Sequence, residues 1–348
     1  MNDLQPRIIY THQSVRDALE KLNRVPDGKT LFVLDAEQRL VGTLTDGDVR
    51  RSLLAGRQVQ ASVAEVMNRE FHALRRHQFQ LEEFDQIRRK RIFSVPFLDE
   101  EGRISRIIDA HELRSLLPCE AIIMAGGRGS RLRPLTDHTP KPLLPVGTKP
   151  ILAHNIDRLV QYGIDRIHIS VNYLGQQIKD YFGHEHPSGT KISYIHEPEP
   201  LGTFGSVKLG GAYESEHLLV MNSDLLTNID FEDFYRAFLQ TESDLAVASV
   251  PYRINVPYAI METQGNQLTA LKEKPVYTYH ANAGIYLLKR QVLDLVPTHI
   301  PYQATSLIET LIQQKRPVIH YPILNYWLDI GKPEDYQKAQ QDISHIKL

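Results

Sequence analysis

The stretch Ala125-Gly126-Gly127-Arg128-Gly129-Ser130-Arg131-Leu132 carries three glycines in four residues. A turn of that composition lets backbone N–H groups converge on phosphate oxygens that side chains would otherwise block. Two familiar phosphate loops do not fit: no Gly-Lys-Ser/Thr follows for a P-loop, and Leu132 stands where a dinucleotide fold needs its third glycine. Ten residues after Arg131, Pro140-Lys141-Pro142 sets another cation in a rigid segment. Two acids complete the set. Asp224 closes Asn222-Ser223-Asp224, just past an apolar run, and Asp329 sits among apolar neighbours in Tyr326-Trp327-Leu328-Asp329-Ile330. A carboxylate in such company is costly unless paired or metal-bound. Mg²⁺ takes hard oxygen ligands, typically one or two carboxylates plus substrate phosphates. The chemistry these groups suit is metal-assisted attack on a phosphate. Plainer readings of the same residues stay open: a tight surface turn, a solvated lysine, and helix caps for both aspartates.

Positioning those groups falls to an α/β pattern. Ala121-Ile122-Ile123-Met124-Ala125 is an unbroken apolar strand, as in a sheet covered on both faces. Leu152, Ile156, Leu159 and Val160 fall on one helix face, which Gly163 ends. Further strands are predicted over 167–171, 218–221 and 245–250. Short strands alternating with helix patterns imply βαβ units in a mostly parallel, mixed sheet. Ligands of such sheets bind beyond the carboxyl ends of the strands, where Asp224 falls.

The chain before Pro118 follows a different rule. Val33-Leu34-Asp35-Ala36-Glu37-Gln38-Arg39-Leu40 realigns on Phe97-Leu98-Asp99-Glu100-Glu101-Gly102-Arg103-Ile104, a shift of 64 residues. Each copy reads as a helical stretch, an apolar strand, an Asp-containing turn and a second strand. The first helix is predicted from Ser14 as N-cap through Val15, Ala18, Leu19 and Leu22, with Asp27-Gly28 as its stop. The second copy shows Leu81, Phe84, Ile87 and Ile92 on one face, then a strand over 94–98. Neither copy buries much alone, so the two are expected to pack as a pair, giving domains over 1–116 and 119–348.

Composition narrows the function classes. With 348 residues, 40 Lys plus Arg and 42 Asp plus Glu, the formal net charge is −2, not the basic excess of a general nucleic-acid binder. Mean hydropathy is −0.32 and no apolar run reaches membrane-spanning length, so no membrane partner is expected. The single Cys119 cannot form an intrachain disulfide, and a reducing, cytoplasmic compartment is the expectation.

GGRGSRLRPLT followed by PKPLLPV resembles the sugar-1-phosphate nucleotidyltransferase family, over essentially all of 120–348. That resemblance implies a Rossmann-like domain in which Gly126, Gly127 and Gly129 line a nucleoside triphosphate. Arg131 would hold its phosphates and Lys141 would neutralise charge around the α-phosphate. It makes Asp224 and Asp329 the Mg²⁺ ligands, with Ser223 replacing the family's usual glycine. On the acceptor side it implies a sugar 1-phosphate near Glu197, Gly202, Thr203, Glu273 and Asn282, with Lys274 on the sugar phosphate. Leu201-Gly202-Thr203-Phe204-Gly205 resembles the LGT-x-G of GTP-using members.

Residues 1–116 resemble a pair of CBS domains on Gly42-Thr43-Leu44-Thr45-Asp46-Gly47-Asp48-Val49-Arg50. Thr45 and Asp48 would there meet the phosphate and ribose of an adenine nucleotide. In the second copy Asp109 replaces the threonine and Arg106 the glycine. The combination is similar to glucosamine-1-phosphate guanylyltransferases of legionaminic acid biosynthesis, with mannose and heptose 1-phosphates as competing acceptors. A homo-oligomer, a dimer first, is expected. A different class, a non-catalytic nucleotide sensor, remains the alternative function.

Overall fold

The computed structural model describes residues 5–25, 30–75 and 79–346, so Asp27-Gly28, the expected helix stop, lies outside the described residues. The chain forms two compact units, Met1–Pro118 and Cys119–Leu348.

The first unit contains the repeat twice. Strand β1 (Ile8–Tyr10) leads to α1 (Val15–Leu22), β2 (Thr30–Leu34), β3 (Leu40–Thr45), α2 (Asp46–Leu54) and α3 (Val63–Val66). The second copy supplies β4 (Leu74–Arg75), α4 (Leu81–Arg89), β5 (Ser94–Leu98) and β6 (Ile104–Asp109). Each copy makes a three-stranded sheet with one parallel and one antiparallel pairing, β1-β2-β3 and β4-β5-β6. Helix α1 starts where expected because Ser14 and Asp17 form a reciprocal capping box, which satisfies N–H groups that the first turn leaves open.

The duplication extends to single hydrogen bonds. Both sheets carry a bulge at the aligned pairs Val33/Leu34 and Phe97/Leu98. Asp35 accepts from the Arg39 N–H and Asp99 from the Arg103 N–H, each at 2.8 Å. The two Asp turns meet in an antiparallel bridge between Arg39 and Arg103. Phe32, Leu34 and Leu40 share a core with Leu98, Ile104 and Ile107, so each copy covers apolar surface that the other cannot bury alone.

The second unit opens with β7 (Cys119–Met124), followed by the short β8 (Pro145–Val146) and β9 (Lys149–Pro150), α5 (Ile151–Gln161) and β10 (Arg166–Val171). Next come α6 (Gly175–Phe182), β11 (Lys191–His196), α7 (Gly202–Leu209), β12 (His217–Asn222), β13 (Leu225–Thr227) and α8 (Phe231–Gln240). The chain continues through β14 (Leu245–Asn255), β15 (Ile260–Gln264), β16 (Gln267–Lys272) and β17 (Val276–Lys289). It ends with α9 (Ala304–Gln313), β18 (Val318–Pro322), β19 (Trp327–Asp329) and α10 (Pro333–Asp342). The central sheet runs β11-β10-β7-β12-β17-β14-β18. It is parallel except where β17 enters antiparallel between β12 and β14, so the fold is mixed α/β with a mostly parallel sheet. Gly163 ends α5 at φ +72°, a backbone region glycine enters freely.

Strand β14 exceeds the expected 245–250. Its second half pairs with the start of β17 in a ribbon that leaves the body of the sheet. Tyr252, Ile254, Val276 and Tyr279 stand exposed there, so burial no longer alternates and the strand end carried no periodic signal.

Candidate active site

The glycine turn leaves β7 at the carboxyl end of the sheet, beside the ends of β10 and β12. Gly129 adopts φ +61° and caps a short 3-10 turn, Ser130–Leu132. Its carbonyl accepts from Leu132 N–H and from Thr136 Oγ1, each at 2.9 Å. Tyr173 fastens the far side of the loop by donating its hydroxyl to the Asp137 carbonyl at 3.1 Å, while the Arg128 guanidinium lies 5.9 Å from its ring centre. At Gly127 an added Cβ would meet nothing within 4 Å, so that backbone is open to an approaching ligand. At Gly126 the same atom would fall 2.7 Å from Oε1 of Glu197.

Four of the expected residues converge beside this turn. Lys141, only 8% exposed, opens the 3-10 turn Lys141–Leu143 and forms an ion pair with Oδ2 of Asp224. Asp224 joins β12 to β13, and β13 pairs antiparallel with β19 so that Leu225 faces Asp329. The Ile330 N–H donates to the Asp224 carbonyl at 3.0 Å, which locks the two acid-bearing segments together across about a hundred residues of chain. Arg131 completes the group: its guanidinium lies 3.4 Å from where a Gly331 Cβ would stand. The charges feel one another. Burial raises the Asp329 carboxyl above its ordinary pKa and the Asp224 charge raises it further, against the opposing pull of Lys141 and Arg131.

Oδ1 of Asp224 and Oδ1 of Asp329 are buried without a hydrogen-bond partner. Two orphaned carboxylate oxygens on paired segments are the hard donor set that Mg²⁺ accepts. Among the described residues no group of three or more His, Cys, Asp and Glu side chains is placed to hold a metal. The pair therefore suits an ion whose remaining ligands are water and substrate phosphate oxygens.

The acceptor-side residues are distributed less tightly. Asn282 lies in β17, where its Oδ1 accepts from Gly284 N–H at 2.9 Å and its Nδ2 donates to the Tyr286 hydroxyl at 3.0 Å. A Cβ on Gly284 would reach 2.5 Å from Nδ2 of Asn222, so this strand abuts the segment that leads to Asp224. Gly202 (φ +69°) and Thr203 begin α7, with the Gln303 amide packed on Gly202. Glu197 is 5% exposed; it accepts from Ser170 Oγ and, at 3.2 Å, from Leu201 N–H. Glu273 and Lys274 lie exposed in the turn after β16, Lys274 at φ +42°, and neither is bonded to a described residue. The structure does not join them to the acid pair.

Asn155 was not anticipated. Buried on α5, it donates Nδ2 to the Ser223 carbonyl at 3.3 Å and so holds the residue before Asp224. Its signal was available: it falls three residues after Leu152 and four before Leu159, a polar residue on an otherwise apolar face. Ser170, Asn172 and Tyr173 escaped because their partners lie 25 to 37 residues away in sequence.

In the first unit, Thr45 caps α2 and forms a capping box with Asp48, whose other oxygen takes Arg51 at 2.5 Å. In the second copy Asp109 accepts from His111 N–H at 2.8 Å and no helix follows β6.

A glycine turn at strand ends beside two paired acids and two cations defines an α/β protein built to handle phosphates. Family comparison agrees: residues 120–345 match the nucleotidyl transferase model, and the chain belongs to that family. Residues 1–55 match the CBS domain model. Over 232 residues the chain is 31% identical to D-glycero-alpha-D-manno-heptose 1-phosphate guanylyltransferase of Aneurinibacillus thermoaerophilus, covering 65% of this chain and 99% of that enzyme. It is 32% identical to mannose-1-phosphate guanyltransferase beta-A of Xenopus laevis, covering 62% of each. Among solved structures it resembles HddC from Yersinia pseudotuberculosis complexed with GMP-PN, at TM-score 0.51 and 27% identity, over 65% of this chain and 99% of that one.

Proposed function

We propose that the protein transfers a guanylyl group from GTP to a sugar 1-phosphate, giving a GDP-sugar and pyrophosphate. The observation that carries this reading is the convergence of Arg131, Lys141 and two orphaned carboxylate oxygens, of Asp224 and Asp329, beside an open glycine turn. A phosphate oxygen of the sugar 1-phosphate attacks the α-phosphorus of the triphosphate, and the bond to the β-phosphate breaks. No general base is required, because a phosphate monoester with a second pKa near 6 is mostly dianionic at neutral pH. The obstacle is repulsion between two anions, so positioning and charge neutralisation supply the acceleration.

Backbone N–H groups of the Gly126–Gly129 turn receive the triphosphate. Arg131 and Lys141 neutralise charge there, and the Lys141 pairing holds the Asp224 carboxylate in register with Asp329. Bound by those two carboxylates, Mg²⁺ would draw off charge that builds on the phosphates. Asn282, Gly202, Thr203, Glu273 and Lys274 form the proposed acceptor side. Guanine follows the LGT-x-G sequence and the guanylyltransferase relatives. Glucosamine 1-phosphate is the proposed acceptor, from the joining of CBS repeats to such a domain. A heptose 1-phosphate is the second reading, supported by the relative matched over 99% of its length. Thr45 and Asp48 are the proposed contacts for an adenine nucleotide in the first unit.

The test crosses the four nucleoside triphosphates with glucosamine, mannose, glucose and heptose 1-phosphates and measures pyrophosphate release. Turnover is expected with GTP and one of these sugars. Triphosphate binding without turnover on any pair would replace the enzyme reading with the sensor.

A further inference from the structure

Two histidines stand on the acceptor side of the sheet with no part in the transfer described above. Ser249 in β14 pairs directly with Asn282 in β17, so their side chains share a face, and His280, two residues before Asn282, shares it too. His320 in β18 reaches the same face: its Nδ1 lies 3.1 Å from Ser249 Oγ, and its ring centre lies 4.7 Å from that of His280. Both imidazoles are exposed. The face continues to the acceptor turn. Asn282 Nδ2 donates to the Tyr286 hydroxyl at 3.0 Å, and the Tyr286 ring centre lies 5.6 Å from that of Phe204, the residue after Thr203 in α7.

The partners of His320 fix its tautomer. Ser249 has one hydroxyl hydrogen, and the Tyr321 carbonyl, 3.4 Å from Oγ, can only accept it. Oγ is then left to accept from Nδ1–H of His320. Nε2 of the neutral ring keeps its lone pair, and no described residue bonds to it. Asn282, by contrast, has both ends of its amide engaged, Oδ1 by Gly284 N–H and Nδ2 by Tyr286. The open group on this wall is therefore an acceptor. A phosphate or carboxylate oxygen gains nothing from it, whereas a donor does, and a charged donor gains most.

We propose that His320 recognises the ammonium group of an amino sugar 1-phosphate through Nε2, with Ser249 holding the tautomer and His280 holding the ring. The proposal rests on the reading of this face as the acceptor side and gives it a determinant of sugar choice. A hydroxyl on the same carbon makes only the weaker neutral hydrogen bond, so the wall favours an amino sugar over its hydroxyl analogue by about tenfold.

The experiment measures kcat, KM and Tm at neutral pH with GTP and either glucosamine 1-phosphate or glucose 1-phosphate, two acceptors that differ at a single substituent. The proteins are wild type, His320→Phe, His320→Gln, Ser249→Ala and His280→Ala. Wild type is expected to favour glucosamine 1-phosphate by about tenfold in kcat/KM. His320→Phe keeps a ring and removes the nitrogen, so the two sugars come within about twofold of each other while the GTP KM stays unchanged. His320→Gln, whose amide oxygen can stand where Nε2 stood, recovers part of the preference. Ser249→Ala and His280→Ala, which free the tautomer and the ring, each lower it partway. A wild type that favours glucose 1-phosphate, or uses both sugars alike, overturns the proposal. An equal loss on both sugars in His320→Phe overturns it too, because the imidazole would then shape the wall without reading the amine. Should His320→Phe fail to fold, His320→Gln and Ser249→Ala decide the question by the same ratio. Turnover with mannose or heptose 1-phosphate alone defeats the histidine reading and leaves guanylyl transfer intact, whereas no turnover on any pair defeats both.

Discussion

At the scale of single residues, Asp329 sits where stability alone would not favour a carboxylate. Its carboxyl is raised above the ordinary value by burial and by the Asp224 charge. The native state then holds its proton more tightly than the unfolded chain does, so this group's contribution falls as pH rises from about 4 through the raised pKa. Around neutral pH that raised pKa is a cost to stability. Asp329→Asn and Asp224→Asn are accordingly expected to differ in effect. Asp329→Asn keeps wild-type Tm or gains, while Asp224→Asn strands the buried Lys141 and loses Tm. Both lower kcat by at least about a hundredfold. Mg²⁺ raises the Tm of wild type and of neither variant, as expected for a ligand of the folded state. A Mg²⁺-dependent Tm rise in either variant would remove that residue from the metal site.

Gly127 supplies a cleaner separation. An added methyl group meets only open space, so Gly127→Ala is expected to leave stability within about 0.5 kcal/mol while raising the triphosphate KM tenfold or more. Gly129→Ala meets Lys141 Cβ and Thr136 Cγ2 at 3.0 Å and must hold φ +61°, so it destabilises by about 1–2 kcal/mol or more. Calorimetry and KM on the pair distinguish a ligand surface from a tight turn, the two roles a glycine cluster has in sequence. Residues of this kind were legible because their chemistry is local: glycines in one turn, an acid after an apolar run. Glu197 was legible as a candidate in sequence, but its partners Ser170 and Leu201 reach it only once the segments that carry them are folded together.

At the scale of elements, strand and helix positions were readable from apolar runs and periodicity, whereas strand order was not. Nothing near 285 announces that β17 enters antiparallel between β12 and β14, or that β13 takes β19 as its partner. The cross-strand cluster at Glu120 was equally hidden. Its Oε1 accepts from the N–H groups of Glu214 and Ser215 at 2.7 and 2.8 Å, and its Oε2 meets His168 Nε2 at 2.8 Å. His168 in turn reaches Ser193 Oγ at 2.7 Å, so one carboxylate ties β7, β10, β11 and the approach to β12. Burial would raise its pKa, but the His168 hydrogen bond, the two N–H groups and the His168 charge together bring it down to about 2. A depressed carboxylate contributes stability that is complete above its unfolded pKa, about 4.5, and is lost as pH falls through the folded value near 2. Glu120→Gln is therefore expected to cost about 1–3 kcal/mol at neutral pH and to flatten the decline of Tm between pH 4.5 and 2. An unaltered acid limb in thermal melts would mean that other carboxylates govern it.

At the scale of the whole molecule, every residue assigned to the transfer lies within Cys119–Leu348, and the residues proposed for an adenine nucleotide lie within Met1–Pro118. The family model spans 120–345, and the heptose guanylyltransferase relative is matched over 99% of its length by only 232 residues of this chain. The second unit also closes its own core, with Ile122, Leu218, Val220, Leu245, Leu288 and Leu307 buried in one cluster. A protein comprising 119–348 is therefore expected to fold and to retain kcat within about threefold, because it keeps every residue assigned to the transfer and its core meets the size of an independent domain. The first unit would then act on turnover only through a ligand: AMP or ATP titrated into the full chain changes kcat or KM, leaves the truncated protein unaffected, and loses its effect in Thr45→Ala. Loss of activity on truncation with the fold retained would assign the first unit a part in the reaction itself. Equal responses of both proteins to adenine nucleotide would instead place that nucleotide in the transferase unit.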